Sequence, residues 1–314
     1  MNKKIAIIGA GISGLSCAYM LAPEYPDITI IAKAFSPDIT SNRAAAFWFP
    51  YHIRNDQRGI AWCKISYRVY QQFASDVRSG ICMKQLIKVV RKGISEEEPV
   101  WIEFMPDGAF REIGPPELDN RYQKGYHITV PLIETQIFLP YLQQKLSGMG
   151  ISFVEQEISD FSELQQDFDC IINCTALGSR ELCNDASVIP VRGQVVLIAP
   201  GEQHFLYLDN EMPLYVVPRK DAIILGGTYE EGISEETTEP AALAGILENA
   251  YAVFPEFRKH AILGRWAGIR PFRSQVRLEK GQAGNIIHNY GHGGSGFTLA
   301  FGCASEVKKL IQEF

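Results

Sequence analysis

The sequence predicts an α/β protein built around a Rossmann-like dinucleotide-binding unit, on three observations. An apolar run, Ile5-Ala6-Ile7-Ile8, leads directly into Gly9-Ala10-Gly11-Ile12-Ser13-Gly14. After Gly14, residues Leu15, Ala18, Tyr19 and Ala22 fall on one stripe of a helix, and a second apolar run, Ile28-Thr29-Ile30-Ile31-Ala32, follows. Near the other end, His288-Asn289-Tyr290-Gly291-His292-Gly293-Gly294-Ser295-Gly296 sets four glycines in nine residues ahead of Phe297-Thr298-Leu299-Ala300-Phe301, where a helical pattern resumes.

Each of these elements has a physical reason. The apolar runs have strand character, and the stripe after Gly14 has helical spacing. In Gly9-x-Gly11-x-x-Gly14 the first glycine permits a tight turn, the second lets the backbone approach a pyrophosphate, and the third allows close helix–strand packing. The helix N-terminus then faces the phosphates, with Ala10, Ile12 and Ser13 in the same loop. In the second glycine-rich turn, the missing Cβ atoms of Gly293, Gly294 and Gly296 let backbone N–H groups reach a ligand, with Phe297 and Thr298 immediately behind. One expected element is absent. An acidic residue commonly ends the second strand and accepts ribose hydroxyls, yet Lys33 stands there. Lys33 reads either as a donor to a hydroxyl or phosphate oxygen, or as an exposed strand-end lysine with no ligand role.

Composition narrows the class. With 314 residues, 46% hydrophobic and 21% charged, the chain can bury a core and is long enough for two domains. A net charge of -6 argues against a nucleic-acid partner, because no basic stripe is available to neutralise phosphates. No stretch has the length and apolarity of a membrane span, and Met1-Asn2-Lys3-Lys4 leads into a strand and not into a signal-peptide core, so a cytoplasmic protein without a membrane partner is expected. The seven cysteines form no CxxC pair and no zinc spacing, which favours reduced, buried thiols and no metal site. Gln312-Glu313-Phe314 is not a peroxisomal address.

Five further segments carry a likeness. They are Ser41-Asn42-Arg43-Ala44-Ala45-Ala46-Phe47-Trp48-Phe49-Pro50, the strand and turn Ile171 to Gly178, Pro190-Val191-Arg192-Gly193-Gln194, Pro213-Leu214-Tyr215-Val216-Val217-Pro218-Arg219, and Gly268-Ile269-Arg270-Pro271-Phe272-Arg273. On these motifs the chain resembles the D-amino-acid oxidase family of FAD enzymes, of the glutathione-reductase-type dinucleotide fold, over nearly its whole length. The resemblance implies non-covalent FAD between the two glycine turns. Ser41, Arg43, Ala45, Ala46 and Phe47 would lie beside the diphosphate and isoalloxazine, Thr175 next to the cofactor, and the backbone of Ile158 at the adenine. It also implies that Tyr215 donates a hydrogen bond to the substrate carboxylate and that Arg270 clamps it, a planar fork matching two carboxylate oxygens where lysine offers a point charge. Ser295 joins them in the reacting site, where some members carry a bulky aromatic. Taken alone, Arg270 also reads as a structural ion-pair partner, as do Arg273 and Arg277; the alanine run reads as core packing and Ile158 as an ordinary strand residue.

The likeness has departures. Many members place a second tyrosine four residues before the Tyr215 position, and here that residue is Glu211. Asp209 and Glu211 read either as a solvated loop or as an attractor for a basic substrate side chain. By resemblance the FAD-binding domain is interleaved with a mostly antiparallel α+β substrate domain: about 1–50, 133–195 and 265–314 for the first, 51–132 and 196–264 for the second. The second sheet is expected to include Glu98 to Phe104 and the alternation around Tyr215. Residues 133–149 read as a helix before the strand 151–154, and 230–239 as a loop before a helix at 241–254.

The implied reaction is oxidative deamination of a small-molecule D-amino acid to a 2-oxo acid and ammonia, with dioxygen as acceptor and hydrogen peroxide as product. His288 and His292 are expected to shape the flavin loop. A glycine or sarcosine oxidase shares the N-terminal fingerprint and is the nearest alternative. An NAD(P)-dependent dehydrogenase would use Gly9 to Gly14 equally well but leave the C-terminal glycine turn unexplained. A non-catalytic flavin protein would give Tyr215 and Arg270 no reason to coexist. Monomer and homodimer both stay open.

Overall fold

Both glycine-rich turns sit at the carboxyl ends of parallel strands in the computed structural model, which describes residues 3–93, 99–115, 117–282 and 284–313. In chain order the elements are β1 (Ile5–Ile8), α1 (Ile12–Leu21), β2 (Ile28–Ala32), α2 (Gln57–Phe73), β3 (Ile81–Arg91), β4 (Phe110–Ile113), β5 (Tyr122–Ile133), α3 (Thr135–Gly148), β6 (Ser152–Glu155), β7 (Cys170–Asn173), α4 (Ser179–Leu182) and β8 (Ile189–Ile198). Then come β9 (Leu206–Asp209), β10 (Leu214–Pro218), β11 (Ile223–Gly226), β12 (Glu230–Glu231), α5 (Pro240–Val253), β13 (Ile262–Lys280), β14 (Ile286–His292) and α6 (Gly296–Ile311).

One continuous sheet carries all of these strands in the order β4-β5-β3-β9-β10-β11-β8-β13-β14-β7-β1-β2-β6, with β12 added beside β8. The end β14-β7-β1-β2-β6 is parallel throughout. The rest is antiparallel except where β3 meets β9. The long strand β13 joins the two ends, pairing with β8 from Ile262 to Phe272 and with β14 from Phe272 to Lys280.

The apolar runs are continuous because the parallel strands are covered on both faces. Ile5 and Ile7 of β1 enter the main core, whereas Ala6 and Ile8 enter a separate cluster with Ile31, Ile171 and Ile286. A third core lies under α5, where Leu243, Ile246 and Ala250 meet Val196, Ile198, Val216 and Leu225. All seven cysteines are unpaired, and burial pushes the Cys170 thiol up to about 12. Among the described residues no helix is long and apolar enough to cross a membrane.

Several expected elements differ. Val100–Phe104 is a 3-10 helix and not a strand, and Glu98 lies outside the described residues. Pro99 cannot donate to a strand ladder, and Trp101 and Phe104, three apart, are both buried as one face of a tight turn. The helix expected from residue 133 begins at Thr135, because Ile133 still pairs with Ile81 in the sheet. The strand expected at 151–154 is displaced by one residue, to Ser152–Glu155. The polar stretch 230–239 opens with β12 and is not a plain loop.

Helices α1, α2 and α6 pack against one another beside the parallel strands. The closest approach is at Gly302 of α6, where an added Cβ would lie 2.2 Å from both the Cα and the carbonyl oxygen of Trp62 on α2. The Gly302 N–H also donates to Ser66 Oγ at 2.9 Å. Backbone cannot move aside as a side-chain tip can, so Gly302→Ala is expected to lower stability by about 1–3 kcal/mol, the usual range for an overpacked core. Urea unfolding of the two proteins measures it; an unchanged midpoint would mean that the helices separate freely.

Candidate active site

The carboxyl ends of the parallel strands open into a cavity of about 920 Å³. Its wall is built from distant pieces of chain. Gly11, Ile12 and Ser13 come from the first turn, Ser41, Arg43 and Ala45 to Phe47 from the segment after β2, Gly293, Gly294, Gly296, Phe297 and Thr298 from the second turn, and Tyr215 and Arg270 from β10 and β13.

The first turn admits no side chains at its tightest points. Gly9 has φ +107, and a Cβ there would meet the Cys174 carbonyl oxygen at 2.5 Å; a Cβ on Gly14 would meet the Gly9 carbonyl oxygen at 1.9 Å. Gly9, Ala10 and Gly14 therefore form the turn from behind, and Gly11 to Ser13 face the cavity. Ser41 Oγ accepts the Ile12 N–H at 3.0 Å, tying the second segment to the first. Neither N-cap residue, Gly11 for α1 or Ser295 for α6, caps its helix with a side chain, and both helices point the positive ends of their dipoles at the cavity. A diphosphate-bearing cofactor with a ring system that becomes anionic on reduction fits this wall: α1 suits the phosphates and α6 the ring.

Other expected contacts stand elsewhere. Lys33 is exposed at the end of β2, with its Nζ 3.4 Å from Glu157, and does not line the cavity. The expectation for Ile158 concerns its backbone alone, and its side chain is 9% exposed and packs with Ile31, Leu164 and Ile171. Thr175 turns its hydroxyl to Asn173 Oδ1 at 2.8 Å, and its neighbours Cys174 and Ala176 line the cavity instead. Ser295, expected beside Tyr215 and Arg270, is buried away from the cavity and donates to the Tyr51 carbonyl. Of the two histidines expected to shape the second turn, only His292 lines the cavity. Burial pushes it down to about 4, and its Nε2 lies 3.1 Å from Asn289 Oδ1. His288 is 5% exposed, between Asn173 and Cys183.

Arg270 and Tyr215 are brought together over glycines. A Cβ on Gly193 would lie 2.2 Å from Arg270 Nη2, so the guanidinium rests directly on the β8 backbone. A Cβ on Gly226 would lie 2.0 Å from Tyr215 Cζ, and one on Gly227 2.9 Å from its hydroxyl. Arg270 Nη1 donates to the carbonyls of Thr228 at 3.0 Å and Arg192 at 3.4 Å. Among the described residues it has no carboxylate partner. The other inward arginines do: Arg192 binds Glu230 and Glu239, Arg219 binds Asp221, and Arg273 and Arg277 share Asp185. Burial raises the Tyr215 phenol above its ordinary range, an effect that the adjacent Arg270 opposes, so the hydroxyl stays protonated and able to donate.

Residues invisible to spacing complete this corner. The rings of Tyr51 and His52 stack at 4.2 Å, Tyr229 lies 5.3 Å from His52, and the Arg270 guanidinium carbon is 6.0 Å from the Tyr229 ring. Phe49 and Trp101, 5.7 Å apart, add apolar wall. The Gly226-Gly227 pair at the end of an apolar strand was the one readable signal for this corner. Asp209 is not in a solvated loop: it is 1% exposed and accepts from Arg91 Nε at 2.9 Å and from the Met212 N–H at 3.1 Å. Glu211 is exposed, and partial burial with Asp209 nearby raises its carboxyl.

Residues 4–310 match the family model described as FAD dependent oxidoreductase, and the chain belongs to this DAO family. Within that class it is similar to proteins named D-amino-acid oxidase. The one from Rubrobacter xylanophilus is 35% identical, covering 98% of this chain and 95% of the relative. The one from Dictyostelium discoideum is 32% identical, covering 98% and 91%. In fold, the chain is like the L-proline dehydrogenase from P. horikoshii, with a TM-score of 0.85, 17% identity and coverage of 99% and 94%.

The Arg270–Gly193 contact separates folding from function. Gly193→Ala would push on the tip of a flexible side chain and not on backbone. The variant is expected to fold and hold FAD as the parent does, while the displaced guanidinium raises KM for the amino acid, with efficiency falling about a hundredfold for a shift near 1 Å. Steady-state kinetics beside an FAD titration checks this; unchanged KM would mean that the guanidinium does not need this seat.

Proposed function

We infer that this chain is a D-amino-acid oxidase that oxidatively deaminates D-amino acids to 2-oxo acids and ammonia, with Arg270 and Tyr215 as the grip on the substrate carboxylate. One observation carries the residue assignment: Arg270, half-buried in the cavity wall and without a carboxylate partner among the described residues, lies beside a protonated phenol, whereas Arg43, also in that wall, is exposed. FAD, held non-covalently by the two glycine turns, supplies the two-electron acceptor for the α-carbon hydrogen.

The chain's own residues do the positioning. With one edge of the Arg270 guanidinium held by two backbone carbonyls, the other edge is free to take both carboxylate oxygens, and the Tyr215 hydroxyl adds a third donor. Fixing the carboxylate at a rigid strand limits which α-carbon hydrogen points at the acceptor, so a single enantiomer is accepted. Phe47, Phe49 and Trp101 exclude water beside that path. His292, held near 4 by burial, is uncharged at neutral pH and donates or accepts within the second turn without adding charge. The amine reacts in its neutral form, which requires no side-chain base. Dioxygen as the acceptor that restores FAD, with release of hydrogen peroxide, belongs to the same proposal, as do a cytoplasmic setting in keeping with seven unpaired thiols and the interleaved domain division, whose two units would meet along β13.

Hydrogen peroxide release from a panel of D- and L-amino acids, glycine and sarcosine tests the reading: D-amino acids are expected to react, and preference for an L-amino acid, glycine or sarcosine would overturn it. Arg270→Ala should keep the flavin spectrum and lose at least roughly tenfold to a hundredfold in efficiency, from charge-assisted bonds worth about 1.5–3 kcal/mol each. Arg270→Lys should recover only part of the loss. A variant that reduces FAD at the parent rate and substrate affinity would place the carboxylate elsewhere.

A further inference from the structure

Behind the Arg270 guanidinium lies a polar cluster of which Thr228 alone reaches the cavity wall. Arg192, next to Gly193 on β8, is 4% exposed. Its Nε donates to Glu230 Oε2 at 2.7 Å, its Nη1 to the Thr237 carbonyl at 3.2 Å, and its Nη2 to Glu239. Gln194, fully buried, donates from Nε2 to both Glu230 oxygens at 3.0 Å and accepts the Glu239 N–H at 2.6 Å. Thr228 closes the ring: its Oγ1 donates to Glu230 Oε2 at 3.2 Å and accepts the Gln194 N–H at 3.1 Å.

The same Thr228 supplies the carbonyl that receives Arg270 Nη1, and Arg192 supplies the second. We propose that Thr228 and Glu230 are positioning residues for Arg270: the cluster fixes the two carbonyls that aim the guanidinium, and so sets carboxylate affinity through it. This inference rests on the reading of Arg270 as the carboxylate grip.

Two physical arguments support it. Thr228 lies on the connection between β11 and β12, outside any ladder, so its peptide plane is set by its own hydroxyl, held from both sides. Rotating that peptide by a small angle would take the carbonyl off Nη1 and free the guanidinium to turn about its long stem. The cluster also holds one arginine against two carboxylates, Glu230 and Glu239, and thus carries one net negative charge behind the Arg270 cation. That charge attracts the Arg270 cation and so favours its place against the two carbonyls.

The test uses FAD-loaded enzyme and two readouts: the Kd of propanoate, followed by perturbation of the flavin absorbance, and the separate kcat and KM for D-alanine. Thr228→Val keeps the volume and removes the hydroxyl; Thr228→Ser keeps the hydroxyl; Glu230→Gln keeps the shape and removes the charge. Thr228→Val and Glu230→Gln are expected to raise both the propanoate Kd and KM about tenfold while kcat stays within about twofold, and Thr228→Ser to return both close to the parent. A merely structural role would instead lower kcat and FAD affinity together with the rise in KM, and that pattern overturns the proposal. If Thr228→Val binds propanoate as the parent does while Arg270→Ala loses it, the positioning role is wrong and the Arg270 reading stands. If Arg270→Ala itself binds propanoate normally, the reading falls and the positioning role falls with it.

Discussion

A single strand fixes the distance between Arg270 and the glycine turn that follows β14. Along its 19 residues β13 pairs first with β8 and then with β14, and Phe272 is in register with Ile189 on one side and His292 on the other. Arg270 stands two residues before that changeover. Its separation from the glycine turn that follows β14 is thus set by backbone hydrogen bonds within one sheet and not by a linker between two units. Strand geometry is stiff, and a site mounted on it holds its positions more closely than one mounted on loops. The parallel end delivers helix N-termini to the cavity, the antiparallel end delivers Tyr215 and Arg270, and β13 belongs to both.

The site is assembled as much from missing side chains as from present ones. Gly14 lets α1 start against the Gly9 carbonyl, Gly193 lets the Arg270 guanidinium lie on the sheet, and Gly226 and Gly227 do the same for the Tyr215 ring. At each place two groups occupy space that one Cβ would deny. Charge is treated with the same economy. Arg192, Arg219, Arg273 and Arg277 each answer a carboxylate, whereas Arg270 is met by two carbonyls and the Tyr215 phenol, which orient it without neutralising it. An arginine left in that condition beside a buried phenol has the donors to suit an anion with two oxygens.

Much of this was legible in the chain. The strand Ile5–Ile8, the turn Gly9 to Gly14 and the strand Ile28–Ala32 fall where their pattern puts them, because an apolar run buried on both faces and a turn forbidden to any Cβ are strong local demands. Tyr215 and Arg270 were found by likeness of motif, and the cavity brings them together. The failures have local causes too. Trp101 and Phe104 look like strand residues until Pro99 and the threefold spacing of their burial are considered. Ile133 carries helix-like surroundings but is held by its partner Ile81. Ser295 has the composition of a site residue, yet its hydroxyl is taken up by the Tyr51 carbonyl.

What the sequence determined by itself was the set of local conformations that few alternatives can satisfy: glycine turns, apolar strands and the helix after each turn. What only the tertiary structure decided was which polar groups are used up by one another and which remain for a ligand. His288 and His292 are four residues apart with the same surroundings in sequence, but one is enclosed by Asn173 and Cys183 and the other faces the cavity. Asp209 reads as surface until Arg91, more than a hundred residues earlier, is found against it. Local patterns depend on backbone sterics and spacing, which neighbours along the chain specify. Pairing depends on contacts between residues far apart in sequence, and these exist only after the sheet has closed its register.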